Sequence, residues 1–260
     1  LAVSMIGFGA LATVRLVGSE LDSARMKADF AANVSHELRS PITQIRLKAE
    51  SLMLGLSETE EERQGDYYAI VRESERLSRL VDNVLDFSAI ERGAKTYALI
   101  PGDLGETVQS AVEAVETSAE LVERDLYIRI GRALPAVAHD ADAIAQCVIN
   151  LLSNAAKYSD ESKPIRLAME REKDGVVIRV TDEGIGIPEA DVQQIFEPFF
   201  RGGDASVRRR KGTGIGLAIT FYIVSAHNGA VDVVSSPGEG STFSLWFPTW
   251  SGDPQERPGV

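Results

Sequence analysis

Residues 21–54 read LDSARMKADFAANVSHELRSPITQIRLKAESLML, and apolar side chains recur through them at intervals of three and four: Phe30, Val34, Leu38, Ile42, Ile45, Ala49 and Leu52. That spacing draws one apolar stripe along a helix. The charged run GLSETEEER at 55–63 interrupts it, and a second pattern follows at Ile70, Ser74, Leu77, Val81, Val84 and Ser88, in heptad spacing. Gly93 is placed to end this second helix. Two amphipathic helices joined by a short polar loop form a hairpin too narrow to bury its own stripe. Two copies are therefore expected to pair as a four-helix bundle.

After residue 95 short runs rich in Ile and Val take over. Strands are expected at 126–130, 165–169, 176–180, 231–234 and 243–247, and helices at 140–157 and 216–225. Strands and helices so interspersed predict an α/β sandwich, with helices on one sheet face. The fold class is therefore multidomain: residues 1–20 an apolar helical lead, 21–94 the hairpin, 95–248 the sandwich and 249–260 a polar tail. Ten of the 22 glycines lie between Gly184 and Gly240, so special backbone geometry is concentrated there.

Composition narrows the function. Of 260 residues, 44% are hydrophobic and 25% charged, which excludes a collagen-like, disordered or disulfide-stapled chain. With 27 basic and 39 acidic side chains the net charge is −12, so no nucleic-acid partner is expected and any anionic ligand must be met locally. The one cysteine, Cys147, lies among apolar helical neighbours and reads as a buried, inert thiol. Residues 1–14 (LAVSMIGFGALATV) carry no charge but are too short to span a bilayer alone. They read either as the cytoplasmic end of a transmembrane helix, with Arg15 on its flank, or as an apolar helix in a soluble contact; a start at Leu1 suggests a fragment.

Four stretches of the sandwich carry chemistry. Asp182-Glu-Gly-Ile-Gly-Ile-Pro188 puts a carboxylate at a strand end before Gly184 and Gly186, an arrangement suited to accepting an exocyclic amine, although a tight turn gives the same pattern. Gly212-Thr-Gly-Ile-Gly-Leu217 opens a helix, where free N–H groups favour phosphate. Just before it stand Arg208-Arg-Arg-Lys211 and, earlier, Arg201, basic groups on a loop that can close over polyphosphate. Asn150, Asn154, Lys157 and Tyr158 share one helical face; amide oxygens suit Mg²⁺, while bonding of a neighbouring loop is the other use for such asparagines.

The hairpin contributes Ser35-His-Glu-Leu-Arg-Ser-Pro-Ile-Thr43. His36 lies off the stripe through Val34 and Leu38 and is expected at the surface. Pro41 removes a helical donor, so the helix is expected to bend or end after the histidine, on propensity alone at Ser40.

Taken together these stretches closely resemble the sensor histidine kinases of two-component signalling over roughly residues 21–248. The ordered elements are a histidine box (36–41), an asparagine box (150–158), a first glycine box (182–186), a phenylalanine box (Phe196-Glu-Pro-Phe-Phe-Arg201), a second glycine box (212–216) and Gly238-Glu-Gly-Ser-Thr-Phe243. The resemblance implies a dimerisation and phosphotransfer hairpin joined to a Bergerat-type ATP-binding domain. It makes His36 the phosphate acceptor and has Glu37 orient or deprotonate the imidazole. Asn154 ligates Mg²⁺ with Asn150 nearby, and Lys157, Arg201 and Lys211 meet phosphates. Tyr158 packs on the nucleotide and Asp182 accepts the adenine amine. Gly184, Gly186, Gly212, Gly214 and Gly216, with Leu217, shape the pocket, and Thr242 supports its adenine end. Phe196, Phe199 and Phe200 anchor the base of the lid by packing. Implied partners are a second copy and a response-regulator aspartate, and the implied setting is the cytoplasmic portion of an inner-membrane sensor. Ser40 stands where many relatives carry threonine or asparagine to position a hydrolytic water, which leaves phosphatase activity open. The competing readings are a Bergerat-type conformational ATPase and a scaffold without kinase activity.

Overall fold

The computed structural model describes residues 2–116, 121, 124–202 and 212–252, with side chains in the first helix from 30 onward and at 26 and 28. Two compact units emerge: residues up to Leu77 together with 212–214, and residues from Ser78 onward.

In the first unit, α1 (Ala2–Met53) is one unbroken helix of 52 residues, about 78 Å at 1.5 Å per residue. It runs through Pro41 without ending at Ser40. The missing donor costs a single hydrogen bond, and the buried proline ring contributes packing in return. α2 (Glu60–Glu91) opens with a reciprocal cap, in which Glu62 N–H donates to Thr59 Oγ1 and Thr59 N–H to Glu62 Oε2, both at 3.1 Å. It closes at Gly93, whose φ of +64° lets Gly93 and Ala94 donate back to Ile90 and Ala89.

The seam of α2 differs from the expected stripe. Ser74 and Val81 are exposed, the expected Ile70, Leu77, Val84 and Ser88 are half-buried, and Asp66, Glu73, Leu80 and Phe87 are buried or half-buried outside the expected stripe. Ile42, expected in the stripe of α1, is 52% exposed. Periodicity counts apolar residues only, and here two carboxylates occupy seam positions because cations of the same unit meet them. Lys48 Nζ and Ser57 Oγ each donate to Asp66 at 2.7 Å, closing the tip of the hairpin. Glu73 faces Arg76.

The second unit is a mixed sheet with helices on one face. Its strands are β2 (Leu126–Ile130), β4 (Ile165–Glu172), β5 (Gly175–Asp182), β6 (Ala230–Ser236) and β7 (Gly240–Pro248), in the order β2-β4-β5-β7-β6; only β2 and β4 run parallel. A two-stranded sheet pairs β1 (Ile100–Gly102) with β3 (Val137–His139). The helices are α3 (Leu104–Glu116), α4 (Ala141–Tyr158) and α5 (Gly216–Ala226). Alternation places Leu167, Met169, Ile178, Val180, Leu245 and Phe247 against Ile144, Leu151, Leu152, Ile219 and Ile223. Cys147 lies fully buried in this core, and desolvation pushes its thiol far above the usual range, in keeping with an inert role. The opposite sheet face carries ion pairs, Arg179 with Glu170 and Glu172 and Arg166 with Glu183. The final turns of α2 belong to this unit: Gln146 donates to Asn83 and Asp86, and Phe87 meets the edge of Phe199 at 5.2 Å. Among the described residues no helix is long and apolar enough to cross a membrane.

Candidate active site

The two units each hold one half of the candidate chemistry. In the first, His36 is exposed on α1, while Glu37, one residue on, turns inward and is 10% exposed. Glu37 Oε2 accepts from Arg76 Nη2 at 3.3 Å and Oε1 from Gly212 N–H at 2.9 Å. Ser40, one turn on, is half-buried on the same helix. The chain's other histidines are buried and committed. His139 bonds Thr107 Oγ1 and the Val137 carbonyl. His227 Nδ1 bonds the Ile223 carbonyl while Nε2 accepts from Asp140 N–H. His36 is thus the one accessible imidazole of three.

In the second unit α4 supplies the floor. Its start is capped by Asp140, whose Oδ1 accepts from Ala143 N–H at 3.1 Å. Its end is capped by a residue that helical periodicity does not mark: Arg124 donates to the carbonyls of Ala156 (2.7 Å), Asp160 (2.8 Å) and Ser159 (3.3 Å). Lys157 Nζ lies 4.7 Å from the Tyr158 ring centroid, so the last turn presents a cation over an aromatic face. Asn154 is half-exposed one turn before. Asn150 serves as a tie, because its Nδ2 donates to Thr220 Oγ1 at 2.9 Å and its Oδ1 lies where a Cβ on Gly216 would come within 2.2 Å. Bonding a neighbouring segment, the alternative use for these asparagines, therefore holds for Asn150. Gly216 and Leu217 form the first turn of α5, whose Ile215 N-cap makes no side-chain hydrogen bond, leaving an uncapped N-terminus of the kind anions occupy. Gly214 precedes it at a φ of +76°.

Asp182 ends β5, buried on the helix-facing side. Its Oδ1 accepts from Gly184 N–H at 2.8 Å. Desolvation raises the carboxyl above its usual range, against the lowering effect of backbone donors at Gly184 and Ser241. A carboxylate has about four acceptor positions, so room for an amine donor remains. The next residues fold back on α4: Ile185 N–H donates to the Tyr158 carbonyl at 3.2 Å, and a Cβ on Gly184 would sit 2.5 Å from the same oxygen. Gly186 has a φ of +66° and packs on the Ser236 carbonyl. These glycines are needed because the protein's own backbone approaches them.

Register separates two neighbouring hydroxyls. Asp182 pairs with Ser241 and Thr181 with Thr242, so Ser241 shares the side of Asp182 whereas Thr242 bonds Thr181 at 3.0 Å on the other face. Ser241 continues a chain through Ser235 Oγ (2.9 Å) to Ile187 N–H (2.8 Å). Ser235 and Ser241 are missing from the sequence-derived set; alternation along β6 and β7 was the signal that points to them. Phe196 packs on Phe221 at 5.9 Å. Lys211 and the Arg208–Lys211 run lie outside the described residues, and Arg201 lies at their near edge, half-buried.

Comparison with known proteins follows this division. Residues 26–93 match the His Kinase A (phospho-acceptor) domain, and residues 139–251 match the histidine kinase-, DNA gyrase B- and HSP90-like ATPase. The circadian input-output histidine kinase CikA of Synechococcus elongatus is 34% identical over 85% of this chain and 30% of its own length. The sensor-like histidine kinase SenX3 of Mycobacterium tuberculosis is 33% identical over 90% of this chain and 58% of its own. A solved structure of full-length ShkA in complex with AMPPNP covers 86% of this chain and 47% of that protein at 26% identity, with a TM-score of 0.58. The chain belongs to the two-component sensor histidine kinases, with a helical phospho-acceptor region followed by an α/β ATPase domain. It spans about a third to three-fifths of the length of these curated relatives.

Proposed function

We propose that this chain phosphorylates His36 from ATP and passes the phosphoryl group to an aspartate of a separate response regulator. The observation that carries the reading is the accessibility of His36, beside a buried carboxylate, when both other histidines are locked by hydrogen bonds. A nitrogen lone pair of His36 attacks the γ-phosphorus. The N–P bond forms, the bond to the bridging oxygen breaks, ADP leaves with that electron pair, and Glu37 receives the imidazole proton. In the nucleotide half Asp182 accepts the adenine amine, Tyr158 packs on the base, and Lys157, Arg201, Lys211 and the start of α5 meet phosphates, with Gly212 and Gly214 shaping that approach. The solved structure of ShkA in complex with AMPPNP supports nucleotide binding by this chain. Among the described residues no cluster of His, Cys, Asp or Glu could hold a metal alone. Mg²⁺ would be held by the Asn154 amide oxygen and the phosphates, whose charge it would neutralise.

The domains in this reading are 21–94 for dimerisation and phosphotransfer and 95–248 for ATP binding. Exposed Ile42, Leu47, Tyr68, Val71, Val81 and Leu85 on the hairpin support pairing with a second copy. The apolar start of α1, continuous with the hairpin helix, supports a place in the cytoplasmic portion of an inner-membrane sensor. The test is incubation with γ-labelled ATP and Mg²⁺. Acid-labile, base-stable label is expected on the wild type and absent from His36→Gln, with nucleotide binding retained. Equal labelling of both would overturn the assignment.

A further inference from the structure

Two buried carboxylates of the hairpin face one guanidinium. Arg76 Nη2 donates to Glu37 Oε2 at 3.3 Å, while its Nη1 lies 3.5 Å from Glu73 Oε2. Glu73 is 8% exposed, and its Oε2 has no hydrogen-bond partner among the described residues. Its other oxygen lies 3.6 Å from Nε of the more exposed Arg72. A buried carboxylate oxygen left without a donor is costly, and the nearest available donor is Arg76. Glu37, in contrast, has both oxygens engaged, by Arg76 and by Gly212 N–H, and these two donors fix the direction in which its carboxylate points.

Resting on the assignment of His36 as acceptor and Glu37 as its proton partner, we infer that Arg76 is a positioning residue shared between Glu37 and Glu73. Bound to Glu37, it holds that carboxylate away from the imidazole. Moving to the unsatisfied oxygen of Glu73, it releases Glu37 Oε2 to orient His36 and take its proton. Glu73 acts only as the alternative acceptor and touches no reacting atom. The geometry gives the exchange a small travel, since one nitrogen of the same guanidinium already lies near each carboxylate. Both states keep one full carboxylate–guanidinium pair, so they differ by little free energy, as a two-state element requires.

The test is the rate of acid-labile labelling at saturating ATP, with the KM for ATP measured alongside. Glu73→Gln weakens the alternative site and is expected to slow labelling about fivefold, roughly 1 kcal/mol at 1.36 kcal/mol per decade, with KM unchanged. Arg76→Gln frees Glu37 and is expected to label faster than the wild type, with Arg76→Lys in between. In the Arg76→Gln background, adding Glu73→Gln is expected to change nothing, because Glu73 acts through Arg76. Arg76→Lys and Glu73→Gln, which conserve charge or shape, keep the comparison usable should Arg76→Gln fold poorly. A wild-type rate in Glu73→Gln, equal slowing in both backgrounds, or loss of label in Arg76→Lys each overturns the proposal. Absence of label from the wild type would instead sink the assignment of His36.

Discussion

Gly184→Ala tests whether the loop after β5 is held by contact with α4. An added Cβ would stand 2.5 Å from the Tyr158 carbonyl oxygen and 2.7 Å from Asp182 Oδ1. Neither neighbour can yield cheaply, since one is backbone at a helix end and the other is a buried carboxylate. The loop must move out, straining two hydrogen bonds, Ile185 N–H to Tyr158 O at 3.2 Å and Gly184 N–H to Asp182 Oδ1 at 2.8 Å. Losing a neutral and a charge-assisted bond costs about 1 and ~2 kcal/mol, so the domain is expected to lose on the order of 3 kcal/mol. At roughly 2–4 °C per kcal/mol for a domain of this size, calorimetry should show melting lowered by about 6–12 °C. Displacement of Asp182 should also weaken ADP by about tenfold or more in titration calorimetry. The control is Gly65→Ala in α2, where an added Cβ meets nothing within 4 Å and helix propensity gains ~0.5–1 kcal/mol. Melting temperature and ADP affinity both equal to wild type in Gly184→Ala would refute the reasoning.

Arg124→Ala uncaps three carbonyls at the end of α4 and should cost about 2 kcal/mol in urea unfolding, with faster amide exchange in the 155–159 turn. Unchanged stability and exchange would show that water replaces the guanidinium without loss. His227 is held below its ordinary value of 6.5, first by burial and also by His139, against the raising effects of the Ile223 carbonyl and Asp140. The unfolded chain therefore takes up this proton first as pH falls. Stability from this group is complete above 6.5 and is lost as pH drops through the lower folded value. Urea midpoints of wild type should fall more steeply between about pH 7 and about pH 5 than those of His227→Gln; parallel slopes would exclude His227 as the cause.

Helices α1, α2, α4 and α5 and the five long strands were legible because their apolar periods are strong, and each of these strands contains its expected span. α3 escaped, although Leu104, Val108, Ala111, Val112 and Val115 recur at helical spacing and are buried. The strands that escaped were short. β1 and β3 have three residues each and pair only with one another. In α2 the expected Ile70, Leu77, Val84 and Ser88 are half-buried, while Glu73 and Leu80 take the places sought at Ser74 and Val81; a carboxylate at a seam position is not read by apolar period, because its partner Arg76 is set by tertiary packing. Proline was over-weighted: one lost donor in a helix of 52 residues does not end it. In the candidate site, Asp182 and the glycines were found by type and spacing, but the reason for the glycines was a self-contact visible only in space. Thr242 and Ser241 are adjacent hydroxyls, and only the pairing of β5 with β7 decides which of them accompanies Asp182.

The burial of Cys147 has a practical consequence. It is the chain's single thiol, and it lies fully buried on α4 in the helical layer, beside Thr220 of α5. A small alkylating reagent can reach it only when that layer opens, so the labelling rate under native conditions is an intrinsic clock for local opening, with no engineered probe. A nucleotide that binds only the closed form must slow this clock by the factor 1 + [L]/Kd. Alkylation counted by intact-mass spectrometry across a ligand titration would then report nucleotide affinity without radiolabel, and would do so equally well in variants whose phosphoryl chemistry has been silenced.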